Sequence, residues 1–226
     1  MSEAPPAASP LSIVIVDDHQ VLTDALTISL NSQPDLLVSG VAHTCAEARE
    51  LLGRVYPDIL LLDVSLPDGD GLSLAPEVNR LRPNTYILVL TSLSDEKTLL
   101  RAVEAGVNGF VIKNRPLTEV ISAIRQTAEG EIVMPAGLLR GLLARVSQTP
   151  GARVERSEVK LLTPRELEIL GHVARGQSAA AIGAELNIAP LTVRTHVRNV
   201  LAKLGAHSRL EAIALALRLR LIEPPT

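Results

Sequence analysis

Between Leu11 and Gly130, short apolar runs alternate with amphipathic stretches, the pattern of βα units wound around a parallel sheet. The runs are Leu11 to Val16, Leu36 to Val41, Ile59 to Leu62, Ile87 to Leu90 and Phe110 to Ile112. None alternates apolar with polar residues through its length, so five strands are expected with helices covering both faces of the sheet. Amphipathic spacing places those helices over Val21–Leu30, Ala46–Leu52, Leu72–Leu81, Glu96–Glu104 and Leu117–Ala128. A short helical stretch, Ala136 to Val146, then leads into Ser147 to Lys160, where Pro, Gly and mixed charge read as a linker.

From Leu161 to Ile222 the periodicity is helical. Thr163-Pro164-Arg165-Glu166 is a helix start, with a Thr N-cap, Pro at the first helical position and Glu placed to close a capping box. Ser178 to Leu186, the turn Asn187-Ile188-Ala189 and the stretch Pro190 to Leu204 have the spacing of a helix-turn-helix. The last helix, Arg209 to Leu221, is apolar nearly all round, and the surplus predicts a partner, most simply a second copy. The expected organisation is therefore an α/β domain over 11–130, a linker with a short helix over 131–160 and a small all-α domain over 161–222.

Composition narrows the setting. Aromatic residues are only 1% and Trp is absent, so the cores must be built from Leu, Ile, Val and Ala. The single Cys45 has no partner for an internal disulfide, and no Cys/His cluster offers zinc ligands, which points to a reducing cytoplasm. No apolar run reaches the ~18 residues of a membrane helix, and the opening Met1 to Pro10 lacks the features of a signal peptide. The net charge of -3 hides an asymmetry of +4 over residues 153 to 226 against -7 over residues 1 to 152. Only the C-terminal part favours a polyanion.

Candidate chemistry collects where the strands end, because the C-termini of parallel strands open on one edge and ligands bind there. Four such ends carry polar groups: Asp17 and Asp18, then Asp63, then Thr91 and Ser92, then Lys113. Three carboxylates at one rim call for a divalent cation, and hard oxygen ligands suit Mg²⁺. A lysine and a hydroxyl beside them are placed to hold phosphoryl oxygens, with one carboxylate as acceptor. Asp63 is the candidate, since it ends the central strand of an order 2-1-3-4-5. Taken singly, each residue fits an ordinary turn or solvated loop; the joint placement carries the reading.

Over about residues 11 to 130 the sequence resembles the receiver domains of response regulators, on Asp17-Asp18, on Asp63 with Pro67 and Gly71 behind it, on Thr91, and on Lys113 after Gly109-Phe110-Val111-Ile112. The resemblance implies a doubly wound (βα)5 flavodoxin-like fold, with Asp63 as phosphoacceptor and Mg²⁺ held by Asp18, Asp63 and the Ser65 carbonyl, assisted by Asp17. Thr91 and Lys113 would contact the phosphoryl group. Phe110 stands where receivers place a switch aromatic and is equally well read as a core residue.

In the second domain, Val193, Val197, Val200 and Leu204 repeat at core spacing, while Arg194 and Arg198 lie one turn apart on another face beside Thr195. Leu162-Thr163-Pro164-Arg165-Glu166, Gly176, Thr192-Val193, His196-Val197, Lys203-Leu204-Gly205 and Ser208-Arg209 resemble the LuxR-type helix-turn-helix of the NarL/FixJ response regulators. That resemblance implies DNA contacts by Arg194, Thr195 and Arg198, with Lys203 and Arg209 as phosphate contacts. Ala189 departs from the family's usual Ser N-cap. His196 reads as structural, and His19, His43, His172 and His207 form no cluster in sequence.

The whole implies a phosphorylation-controlled transcriptional regulator of a two-component system, partnered by a histidine kinase, promoter DNA and a second copy, without membrane attachment or turnover of an external substrate. A haloacid-dehalogenase-like phosphatase would need a second Asp two residues after Asp63, where Ser65 stands. An unphosphorylated interaction protein would not need the full set of Asp18, Asp63, Thr91 and Lys113.

Overall fold

The structure is a computed structural model that describes residues 9–92, 96–134, 141 and 162–223. The helix expected over Ala136 to Val146 and the linker expected over Ser147 to Lys160 lie outside these, save for residue 141.

Five parallel strands, β1 (Leu11–Val16), β2 (Leu36–Ala42), β3 (Ile59–Asp63), β4 (Tyr86–Thr91) and β5 (Gly109–Ile112), form one sheet in the order β2-β1-β3-β4-β5. The crossovers are helical: α1 (Gln20–Asn31), α2 (Cys45–Arg54), α3 (Leu74–Leu81), α4 (Glu96–Glu104) and α5 (Leu117–Ala128). Alternate strand residues point to opposite faces, so the continuous apolar runs supply two cores. Ile13, Ile15, Leu61 and Leu88 pack with Leu26, Leu30, Val120 and Ile124 of α1 and α5. Val14, Val16, Leu62 and Val89 pack with Ala48, Leu52, Val78 and Val103 of α2, α3 and α4. The lone thiol, Cys45, is buried at the start of α2.

After β3, Ser65–Leu66 and Gly69–Asp70 make a small antiparallel hairpin, and a 3₁₀ turn over Gly71–Ser73 precedes α3. The helix therefore starts two residues later than the Leu72 of the sequence pattern, because the Asp70 side chain accepts from the Leu72 N–H and fixes a tighter turn first.

The second domain holds α6 (Pro164–Ala174), α7 (Ala179–Leu186), α8 (Pro190–Leu204) and α9 (Arg209–Arg218). Both halves of the capping box at Thr163 and Glu166 are formed. Asn187 ends α7 with φ of 52°, and the turn closes tightly enough that a Cβ on Gly183 would meet the Ile188 carbonyl oxygen at 2.7 Å. Val193, Val197, Val200 and Leu204 are buried, as the spacing of α8 predicts.

The final helix brings a correction. It ends at Arg218 rather than Leu221, and part of its apolar surplus packs on the receiver-side helix α4 of the same chain. Val103 and Glu104 of α4 face Ala214 and Leu215 of α9, and Arg218 donates to Glu104 at 2.9 Å. A single cluster of buried apolar side chains runs from Leu99 and Val103 through to Ile213 and Leu217.

Candidate functional site

The strand ends meet as topology requires. Asp17 is fully buried, Asp63 and Thr91 are nearly so, and Asp18 is at the surface. Lys113 reaches across with its Nζ 2.7 Å from Asp17 Oδ2 and 2.7 Å from Asp63 Oδ2. Burial works against the ammonium's charge, but the carboxylates of Asp17 and Asp63 outweigh it and raise the lysine above its ordinary value. The Lys113 N–H donates to the Thr91 carbonyl at 2.9 Å, which ties the ends of β4 and β5 together.

Gly71 explains one element of the motif. A Cβ there would lie 1.9 Å from the Asp63 carbonyl oxygen, so only glycine lets the returning hairpin pass so close behind the end of β3. Its N–H donates to the Val64 carbonyl at 2.8 Å. Arg101 of α4 pairs with Asp70 of the same hairpin, so the loop behind Asp63 is linked directly to α4. Ser65, expected to lend its carbonyl to a cation, lies in the hairpin just after Asp63.

The donor set fits a hard cation. Ligand atoms of Asp17, Asp18, His19 and Asp63 lie within 4.8 Å of one another. Asp17 Oδ2 is buried and meets no well-aligned hydrogen-bond donor, only the charge of Lys113, which leaves a carboxylate oxygen able to take a metal. His19 was missed by the sequence reading: its Nδ1 is 3.0 Å from Asp17 Oδ1 and 2.7 Å from Asp18 Oδ1. His43 was missed too, with Nδ1 2.8 Å from the Asp17 carbonyl. Adjacency to the acidic pair was a signal for His19, whereas only the sheet order brings His43 near.

Phe110 is buried with Leu99, Ala102, Val103 and Val107, on the α4 side of the sheet. Its environment is that of a core residue next to the helix that faces the second domain.

In the second domain, Arg194, Thr195 and Arg198 share the outer face of α8, but this face looks across a cleft at the receiver residues Pro83, Asn84, Tyr86, Asn108 and Glu129. Arg194 lies 3.5 Å from Glu129. Glu131 takes the Ala179 N–H at 3.1 Å and sits 3.5 Å from the Arg209 guanidinium, which is only 9% exposed. Two residues expected as phosphate contacts are engaged within the chain here. Arg209 is buried between the domains, and Lys203 turns inward to the capping-box carboxylate of Glu166 at 2.7 Å. Burial would raise the Glu166 carboxyl, but Lys203 and the Thr163 N–H hold it below its ordinary value.

Comparison with known proteins follows the same division of the chain. The family model described as the response regulator receiver domain matches residues 13–125, and that described as bacterial regulatory proteins, luxR family, matches residues 160–216. A probable transcriptional regulatory protein NarL of Mycobacterium tuberculosis is 34% identical over 220 residues, covering 96% of this chain and 99% of the relative. The oxygen regulatory protein NreC of Staphylococcus epidermidis is 33% identical over 217 residues, covering 94% and 100%. Among solved structures, a two-component response regulator of the LuxR family from Aurantimonas superposes with a TM-score of 0.56 at 26% identity, covering 61% of this chain and 98% of that one.

Proposed function

The chain belongs to the NarL/FixJ family of two-component response regulators, and from that premise we propose that phosphorylation of Asp63 controls release of a DNA-reading helix now held against the receiver. The receiver is assigned to 11–130, the linker to 131–160 and the DNA-binding domain to 161–222. The observation that carries the reading is the shared contact of Lys113 with Asp17 and Asp63 at the mouth of the sheet.

A phosphohistidine of a partner kinase, or a small phosphodonor, supplies the phosphoryl group. An Asp63 oxygen forms the new bond to phosphorus as the bond to the leaving imidazole or acyl oxygen breaks. Asp17, Asp18, Asp63 and the Ser65 carbonyl would hold Mg²⁺, which neutralises the gathered carboxylates and the incoming oxygens. Lys113 exchanges its carboxylate contact for a phosphoryl oxygen, and Thr91, at the end of β4, closes on another. Because α4 follows β4 and is paired through Arg101 to the hairpin behind Asp63, a shift at the acceptor reaches the helix on which α9 is docked. Buried Phe110 transmits by packing alone, having no hydroxyl.

Undocking frees Arg194, Thr195 and Arg198 for base edges and phosphates in the major groove. It also uncovers the apolar side of α9, which a second copy of the chain would cover, giving a dimer on a roughly palindromic site. Acting in the cytoplasm, such a protein turns over no external substrate.

Intact-mass measurement after incubation with acetyl phosphate and Mg²⁺, with DNA retention at two salt concentrations, tests this. Wild type should gain one phosphoryl group and bind DNA more tightly, with the steep salt dependence of phosphate contacts, while Asp63→Asn should do neither. An adduct on Asp63→Asn, or DNA binding indifferent to the adduct, would sink the reading.

A further inference from the structure

Every large apolar side chain that is strongly exposed among the described residues lies in the receiver, with one exception: Leu191, 75% exposed, in the first turn of α8. It stands at helical spacing i, i+3, i+4 and i+7 with Arg194, Thr195 and Arg198, so it shares the face expected to enter the groove. Docking does not explain it, since it borders the cleft between the domains and stays exposed with the domains closed. Its own domain does not use it either, because the core of α8 is made by Val193, Val197, Val200 and Leu204.

A second observation concerns its neighbour. The Thr195 hydroxyl donates to the Leu191 carbonyl at 3.0 Å, so its proton is committed within the helix. A Thr so engaged offers its methyl and its lone pairs rather than a donor. The N-terminal half of α8 thus carries an apolar spot followed, one and two turns on along the same face, by two guanidinium groups.

In the major groove the thymine C5-methyl is the apolar feature that distinguishes one base pair from the others, and aliphatic side chains read it by contact. The residues that reach base edges come from the N-terminal part of the recognition helix, where Leu191 sits. Resting on the proposed DNA-binding function, we infer that Leu191 is a specificity residue that packs on a thymine methyl in each half-site, with Arg194 and Arg198, one and two turns further along the same face, supplying guanine or phosphate contacts.

The experiment starts from DNA sites selected from a random pool by the full chain treated with acetyl phosphate. Each thymine of the selected half-site is replaced in turn by deoxyuridine, which removes only the methyl, and binding is measured for wild type and for Leu191→Ala. At one thymine per half-site, wild type should weaken about fourfold for each methyl lost, the worth of one buried carbon. Leu191→Ala should weaken on the thymine site and show no further loss on the deoxyuridine site. Since Leu191 is exposed, the variant is expected to keep its helix content, which circular dichroism verifies.

If wild type binds the selected DNA but no thymine couples to Leu191, the inference fails and the DNA-binding reading stands. Loss of both is marked by wild type retaining no DNA at all. A Leu191→Ala chain with an unchanged base preference and an altered oligomeric state would assign Leu191 to a protein contact and overturn the inference.

Discussion

Glu131 is the residue whose loss should most directly open the molecule. Its two carboxylate oxygens cross into the second domain, one to the Ala179 N–H at the start of α7 and the other to the buried Arg209 guanidinium at 3.5 Å. At that distance and an effective dielectric of about 20, the gross attraction is about 5 kcal/mol. Desolvation of both charges returns most of it, and the charge-assisted hydrogen bond adds back part. A net ~2 kcal/mol in favour of docking corresponds to about thirtyfold in the balance of closed and open forms. Glu131→Ala should therefore raise the DNA affinity of the unphosphorylated chain by up to about thirtyfold, because a competent state gains population. Glu131→Gln, which keeps an oxygen for Ala179 but removes the charge, should give a smaller gain. Fluorescence anisotropy on labelled DNA across a salt series measures both, and the log-log salt slope should not change, since the phosphate contacts are the same. If Glu131→Ala leaves affinity unchanged while phosphorylation still raises it, docking through this carboxylate is not what restrains the recognition helix.

Two further outcomes follow from local geometry. Gly71→Ala drives a Cβ to 1.9 Å from the Asp63 carbonyl and should cost about 3 kcal/mol or more, read as a lowered midpoint in urea together with slower Asp63 phosphorylation. Glu166 titrates below its ordinary value in the folded chain, so its contribution is complete above the ordinary glutamate value of 4.5 and is lost as pH falls through the lower folded value. Glu166→Gln should flatten that acid limb of stability, whereas Lys203→Ala, which strands a buried carboxylate, should cost about 3 kcal/mol near pH 7 in denaturant titrations.

The receiver pocket was legible because it depends on order rather than distance. Five apolar runs, four of them followed by an acid, hydroxyl or lysine, fix where Asp17, Asp63, Thr91 and Lys113 meet once the sheet is parallel. The capping box at Thr163 and the buried stripe Val193, Val197, Val200 and Leu204 were legible for the same reason, being periodic and local. What sequence could not supply was the identity of a partner across a long separation. The apolar surplus of α9 is plain in Ala212 to Leu217, yet periodicity cannot say whether it meets another copy or, as it does here, α4. Lys203 likewise looks like any cation on a helix near DNA until folding places Glu166 beside it. Two hydrophobic helix faces and two opposite charges carry no address.

The packing of α9 on α4 would set how the proposed self-association depends on concentration. The covalent tether keeps α4 near α9 at an effective concentration on the order of millimolar, far above the micromolar level at which a second copy would compete. Docking within the chain thus acts as a threshold. A perturbation that weakens it a few-fold leaves the chain monomeric at micromolar concentration, and only one that lowers the local competitor by about a thousandfold hands the α9 surface to another molecule. On the proposed reading, a single interface used first within the chain and then between chains would make assembly steep in the strength of the input signal.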